Sequence, residues 1–132
     1  MIFIELMAKI VKEKNMKILI VDDDPVKADL IKKSLNYTNA EITVINNGKD
    51  ALMDILIEDY DYMVSDMQFP WSGSEIEDTC GIHLQQELAD SEIDLKTVIC
   101  SSVKRNADFK NVIGYIIYQG HDLEDRFKLY IR

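Results

Sequence analysis

The sequence predicts an α/β domain in which helices wind both faces of a parallel sheet. Two observations lead there. Five short strand-like runs recur along the chain, at Lys17–Val21, Glu41–Ile45, Tyr62–Val64, Thr97–Cys100 and Tyr115–Tyr118, and stretches with helical spacing of apolar residues separate most of them. After Lys17 the first run is apolar throughout instead of alternating, as a strand buried on both faces must be. Strands alternating with helices favour parallel pairing, and right-handed crossovers then place every strand's carboxyl end on one edge of the sheet.

In chain order, residues 2–14 read as an amphipathic helix, with Phe3, Leu6, Met7, Ile10 and Val11 on one face and Glu5, Lys9, Lys12 and Glu13 opposite. This 1–15 extension precedes a domain spanning 16–132. Three roles stay open for it: packing on the domain, pairing two copies in a homodimer, or extending without a docking site. After Lys17–Val21, Asp24 caps a helix with Pro25 at its first position. That helix is expected to turn Val26, Leu30, Ile31 and Leu35 inward. The second strand leads through Asn46-Asn47-Gly48 into a helix with Ala51, Leu52, Ile55 and Leu56 as its core stripe. The third strand ends on Asp66 and is followed by a turn signal, Phe69-Pro70-Trp71-Ser72-Gly73. Residues 71–80 read as a polar, acidic loop. Gly81–Ala89 reads as a helix burying Ile82, Leu84 or Gln85, and Leu88. The fourth strand ends in Ser101-Ser102, and residues 103–112 leave room for two or three helical turns at most. Gly120 and Asp122 open a last helix carrying Leu123, Phe127, Tyr130 and Ile131.

Composition limits the function. The chain has 132 residues, 47% hydrophobic, enough for one core. A net charge of −9 and the lack of a basic run argue against nucleic-acid binding. No apolar run approaches the roughly 20 residues needed to cross a bilayer. Cys80 and Cys100 sit in no metal-binding spacing and fit a reduced, cytoplasmic protein. His83 and His121 stand apart from other chemistry-bearing groups. Trp71 reads as folded back on its own loop.

The chemistry gathers at two strand ends. Lys17–Val21 runs into Asp22-Asp23-Asp24-Pro25, and Tyr62-Met63-Val64 runs into Ser65-Asp66. Open α/β sheets bind ligands where the strand order reverses, outside the carboxyl ends of the strands. In the flavodoxin-like order 2-1-3-4-5 that point lies between strands one and three, so Asp22, Asp23 and Asp66 would converge. Crowded carboxylates repel. Hard oxygen ligands of this kind suit Mg²⁺, which takes one or two carboxylates and keeps waters or phosphate oxygens. A carboxylate there can also attack phosphorus.

The motifs Ile18-Leu19-Ile20-Val21-Asp22-Asp23-Asp24-Pro25 and Asp59-Tyr60-Asp61-Tyr62-Met63-Val64-Ser65-Asp66-Met67-Gln68-Phe69-Pro70 resemble those of response-regulator receiver domains of two-component signalling. The turn Asn47-Gly48 and the run Gly114-Tyr115-Ile116-Ile117 fit as well. The resemblance implies a flavodoxin-like fold with Asp66 as phosphoacceptor. It implies Mg²⁺ held by Asp22, Asp23, Asp66 and the Gln68 backbone carbonyl. Ser101, or Ser102 if the register differs by one, would bond the phosphoryl group, and Tyr115 would be the aromatic switch residue. A histidine kinase or histidine phosphotransfer protein would be the donor in a phosphorelay. Output would come from a stand-alone receiver through contact with a downstream protein, the receiver being no enzyme beyond its own phosphorylation.

Three departures qualify this. The family's lysine at the end of the fifth strand is replaced by Tyr118, with Lys104 and Arg105 as candidate substitutes. The 71–80 loop is long and acidic. The segment between the fourth and fifth strands is short, so the fourth helix should be short or irregular. Two other readings follow. One is a degenerate receiver that binds partners regardless of phosphorylation. The other is a small Mg²⁺-dependent phosphatase of haloacid-dehalogenase type, with Asp22 as nucleophile and Asp24 as acid/base.

Overall fold

The computed structural model describes residues 2–4, 6, 15–73, 76–77, 80–103, 108–119 and 121–132, with 76–77 described by backbone alone. Its elements in order are β1 (Lys17–Val21), α1 (Pro25–Ser34), β2 (Glu41–Ile45), α2 (Gly48–Ile57), β3 (Tyr62–Ser65), β4 (Phe69–Pro70), β5 (Ile76–Glu77), α3 (Cys80–Asp90), β6 (Thr97–Ser101), β7 (Val112–Ile117) and α4 (Leu123–Phe127). Five strands form one parallel sheet in the order β2-β1-β3-β6-β7, which is the expected 2-1-3-4-5 when the sheet strands are counted alone. Between the fourth and fifth sheet strands, where a short or irregular helix was expected, the described residues form no helix. Lys104 and Arg105 lie outside them, as does most of the N-terminal segment. Residues 2–4 and 6 are helical.

β1 lies inside the sheet between β2 and β3, with Ile18 through Val21 fully buried. Successive strand side chains point to opposite faces. Ile18 and Ile20 therefore join Val64, Val98, Cys100 and Ile116 beneath α1 and α4, which contribute Ala28, Ile31, Leu35, Leu123 and Phe127. Leu19, Val21 and Met63 face the other way and pack with Ala51, Ile55, Leu84 and Leu88 of α2 and α3. Each helix row fills one face.

Some expectations about these rows need correction. Val26 and Leu30 of α1 and Leu56 of α2 are exposed; the buried row of α1 is Lys27, Ala28, Ile31 and Leu35. The cap sets this phase. The Asp24 carboxylate accepts the Val26 and Lys27 N–H groups at 3.0 and 3.2 Å, which fixes the first turn and aims Lys27, not Val26, over the sheet. The long acidic segment is not wholly loop: Phe69 and Pro70 pair antiparallel with Glu77 and Ile76. Trp71 leaves that hairpin and stacks on His83, ring centroids 3.7 Å apart. Its ring also covers Gly48, where an added Cβ would lie 2.2 Å from it. β7 begins at Val112, earlier than expected, and α4 ends at Phe127.

Candidate functional site

The site stands at the carboxyl ends of β1, β3 and β6. Parallel pairing of β1 with β3 runs to Val21 opposite Ser65, so the next residues, Asp22 and Asp66, leave adjacent strands side by side. The Asp66 N–H continues the ladder to the Val21 carbonyl at 2.9 Å, and the Asp22 N–H reaches the Ile45 carbonyl at 3.1 Å. Asp22, Asp23 and Asp66 each present a carboxylate oxygen, and these three oxygens lie within 4.8 Å of one another. The convergence expected from the sequence is therefore present.

Burial grades the three acids. Asp22 is almost fully buried, while Asp23 and Asp66 are half-buried. Burial pushes the Asp22 carboxyl up to about 6 despite the opposing pull of Lys27. Burial also raises that of Asp23, and the Asp66 charge adds to the rise. Asp22 Oδ1 accepts the Asp24 N–H at 2.9 Å. Asp22 Oδ2 accepts no hydrogen bond of regular geometry and has only an ion pair with Lys27. Asp66 Oδ1 accepts the Met67 N–H at 2.7 Å.

Lys27 is the residue that the sequence reading missed. Its ammonium lies 3.0 Å from Asp22 Oδ2 and 3.2 Å from Asp66 Oδ1, and it donates to the Cys100 carbonyl at 2.9 Å. It also sits 5.4 Å from the centroid of the Tyr118 ring. The residue is 6% exposed. Burial alone would lower its pKa, but the Asp22 and Asp66 carboxylates outweigh that and raise it, so the ammonium stays charged. A signal existed in the sequence: Lys27, Ile31 and Leu35 follow one another at spacing four and so share one helix face.

Ser101 closes β6 and is buried, whereas Ser102 is exposed. Its hydroxyl accepts the Val103 N–H at 3.3 Å. Gln68 lies two residues beyond Asp66, half-buried in the turn before β4. Tyr115 is half-buried within β7, opposite Ile99. Tyr118 follows β7 directly, its N–H on the Ser101 carbonyl at 2.9 Å. Asp24 is exposed and serves as the α1 cap, a poor placement for an acid/base partner of Asp22. Gly81 seats α3 against the turn after Asp66. Its N–H donates to the Met67 carbonyl at 3.0 Å, and a Cβ there would lie 2.6 Å from the Asp66 carbonyl oxygen.

An all-oxygen set of three carboxylates, one of them with an oxygen lacking a regular hydrogen bond, fits a hard divalent cation such as Mg²⁺. A parallel five-stranded sheet wound by helices, with acids gathered at the ends of its first and third strands, is the architecture of a receiver. The family model described as response regulator receiver domain matches residues 18–118, and the chain belongs to that family.

Solved structures agree on the fold. The chain is 24% identical to the response regulator TrrA from Thermotoga maritima, a structure in complex with Mg²⁺-BeF, with a TM-score of 0.69 over 86% of this chain and 96% of that one. It is 24% identical to the Francisella response regulator 1452 receiver domain, with a TM-score of 0.66 over 87% and 95% of the two chains. A CheY-like receiver domain protein from Methanospirillum hungatei is 21% identical, with a TM-score of 0.66 over 88% and 93%. No curated protein matches the sequence significantly. Among the described residues no helix is long and apolar enough to cross a membrane.

Proposed function

We propose that this receiver accepts a phosphoryl group on Asp66 with Mg²⁺ bound by Asp22, Asp23, Asp66 and the Gln68 carbonyl, and that it signals through a protein partner. The observation that supports this best is the convergence of three carboxylate oxygens within 4.8 Å at the carboxyl end of the sheet. The donor would be a phosphohistidine on a histidine kinase or a phosphotransfer protein. One Asp66 carboxylate oxygen forms the new P–O bond, the P–N bond breaks, and its electron pair returns to the imidazole nitrogen. Mg²⁺, when bound, screens charge in the loose transition state of such a transfer. Asp22 and Asp23 serve as its ligands, and the Met67 N–H orients Asp66 through Oδ1. The Ser101 hydroxyl would bond a phosphoryl oxygen, and Tyr115 would respond to its movement. TrrA, crystallised with Mg²⁺-BeF, supports the choice of metal by analogy.

The test is phosphorylation by a small-molecule phosphodonor, read by intact mass. One phosphate should be gained, requiring Mg²⁺ and lost in Asp66→Asn. No phosphate under any condition, with Mg²⁺ binding shown separately, would sink this reading. It would favour a receiver that binds partners regardless of phosphorylation. Tyr118 in place of a strand-end lysine is the observation behind that second reading.

A further inference from the structure

We infer that Lys27 supplies from α1 the cation that a phosphoryl group on Asp66 requires, and that Tyr118, at the end of the fifth sheet strand, forms the seat on which that cation rests. The inference rests on Asp66 being the phosphoacceptor. It explains how the chain can carry Tyr118 and no lysine at the end of its last strand and still place an ammonium in the site.

The geometry is specific. An ammonium has three donors, and that of Lys27 has three oxygen neighbours: Asp22 Oδ2, Asp66 Oδ1 and the Cys100 carbonyl. Among the described residues no other lysine or arginine pairs with Asp22 or Asp66. The Tyr118 ring, 5.4 Å from Nζ, closes a further side. A ring face attracts a cation without offering a competing hydrogen bond. A lysine at position 118 would instead bring a second ammonium against the first. Tyr118 and Lys27 are thus complementary choices for one site.

A phosphoryl group joined to Asp66 adds anionic oxygens within a bond length or two of Oδ1. The Lys27 ammonium, 3.2 Å from Oδ1, can turn from the carboxylate to those oxygens while keeping the Cys100 carbonyl. The resulting contact is a charge-assisted hydrogen bond in a buried setting. Because Lys27 is on the first turn of α1, a shift of its ammonium pulls on that helix and not on β7.

The experiment uses Mg²⁺ with beryllofluoride as the phosphoryl probe, and Mg²⁺ alone as its control, both by titration calorimetry on the full chain. Lys27→Met removes the charge. Lys27→Gln removes it but keeps a donor for the Cys100 carbonyl, and serves if the methionine variant does not fold. Lys27→Met with Tyr118→Lys returns an ammonium from the strand end. Either neutral variant should bind beryllofluoride about tenfold or more weakly, the size expected for one charge-assisted bond. Its Mg²⁺ affinity should be undiminished, because an ammonium that competes for the same acids has gone. The double variant should recover most of the lost affinity.

Beryllofluoride binding equal to wild type in a neutral variant would overturn the inference. So would a folded double variant no better than the single one. If wild type itself binds Mg²⁺ but neither beryllofluoride nor phosphate, the phosphoacceptor reading fails and this inference falls with it. Wild type phosphorylated normally alongside an equally competent Lys27→Gln would remove this inference alone.

Discussion

The two ends of the sheet carry the same kinds of residue in different surroundings. At the amino end, Glu58, Asp59 and Asp61 gather around Lys17. At the carboxyl end, Asp22, Asp23 and Asp66 gather around Lys27. The amino-end groups are solvated: Lys17 and Glu58 pair at 3.1 Å while both remain exposed, and the Asp61 carboxylate simply accepts the Lys17 N–H at 2.8 Å. Such surface pairs contribute little. The carboxyl-end groups are enclosed, and there burial pushes Asp22 up to about 6. Residue type alone does not separate the two clusters. Water does: it screens one and is largely excluded from the other, so only the second is held in a state that a bound cation would relieve.

Neutralising each lysine breaks this comparison most directly. In chelator, Lys27→Met leaves the Asp22 and Asp66 carboxylates without their cationic partner and should lower stability by about 3 kcal/mol. Part of this should return with Mg²⁺. Lys17→Met should leave the melting temperature unchanged in either buffer. Equal losses for the two variants, by thermal melts, would mean that burial is not what distinguishes the ends.

Gly81→Ala probes the packing behind Asp66. The new methyl would meet the Asp66 carbonyl oxygen at 2.6 Å and the Met67 Cα at 2.9 Å, both backbone atoms that cannot swing aside. A cost of about 1–3 kcal/mol, with weaker Mg²⁺ binding, is expected from such overpacking. Gly114→Ala meets the Tyr130 ring at 2.5 Å, on β7 and away from the acids. It should cost stability without changing Mg²⁺ affinity, and adding Tyr130→Ala should recover part of the loss.

The Cys100 thiol sharpens the contrast through pH. Burial pushes it up to about 12. Its folded pKa exceeds its unfolded value, so the native state keeps a proton that the unfolded chain releases. Stability therefore falls as pH rises from about 9 towards 12. Both cysteines are buried, and alkylation at pH 8 should be slow in native protein and rapid in denaturant. Fast native labelling of Cys100 would show that the sheet edge opens. The smallest effect is expected at the amino end: Asp61→Asn keeps an acceptor for the Lys17 N–H and should barely alter stability.

Most of the fold was legible because its signals are local. Ile18–Val21 is apolar without interruption, and an interior strand buried on both faces must be so. Asp22 and Asp66 end their strands, and strand ends in a parallel sheet share an edge, so their meeting followed from topology. The phase of α1 was less legible. Val26 reads as a core residue by hydropathy, yet the Asp24 cap fixes the first turn and leaves Val26 outside at 69% exposure. Gln85 shows the same limit. It is buried and its amide donates to the Thr97 hydroxyl at 2.9 Å, a pairing across twelve residues that no local pattern displays.

The sequence by itself determined the alternation of strands and helices, the sheet order that its family resemblance implies, and the acids delivered to one edge. Periodicity, turn residues and chain direction act over a few residues and need no knowledge of what lies opposite. Only the tertiary structure decided which cation meets those acids. Lys27 is 39 positions from Asp66 and 73 from the Cys100 carbonyl that it bonds. Its long side chain became a site residue because a capped helix aimed it across the sheet edge, into a place where burial makes an unpaired carboxylate costly and an ammonium its natural partner.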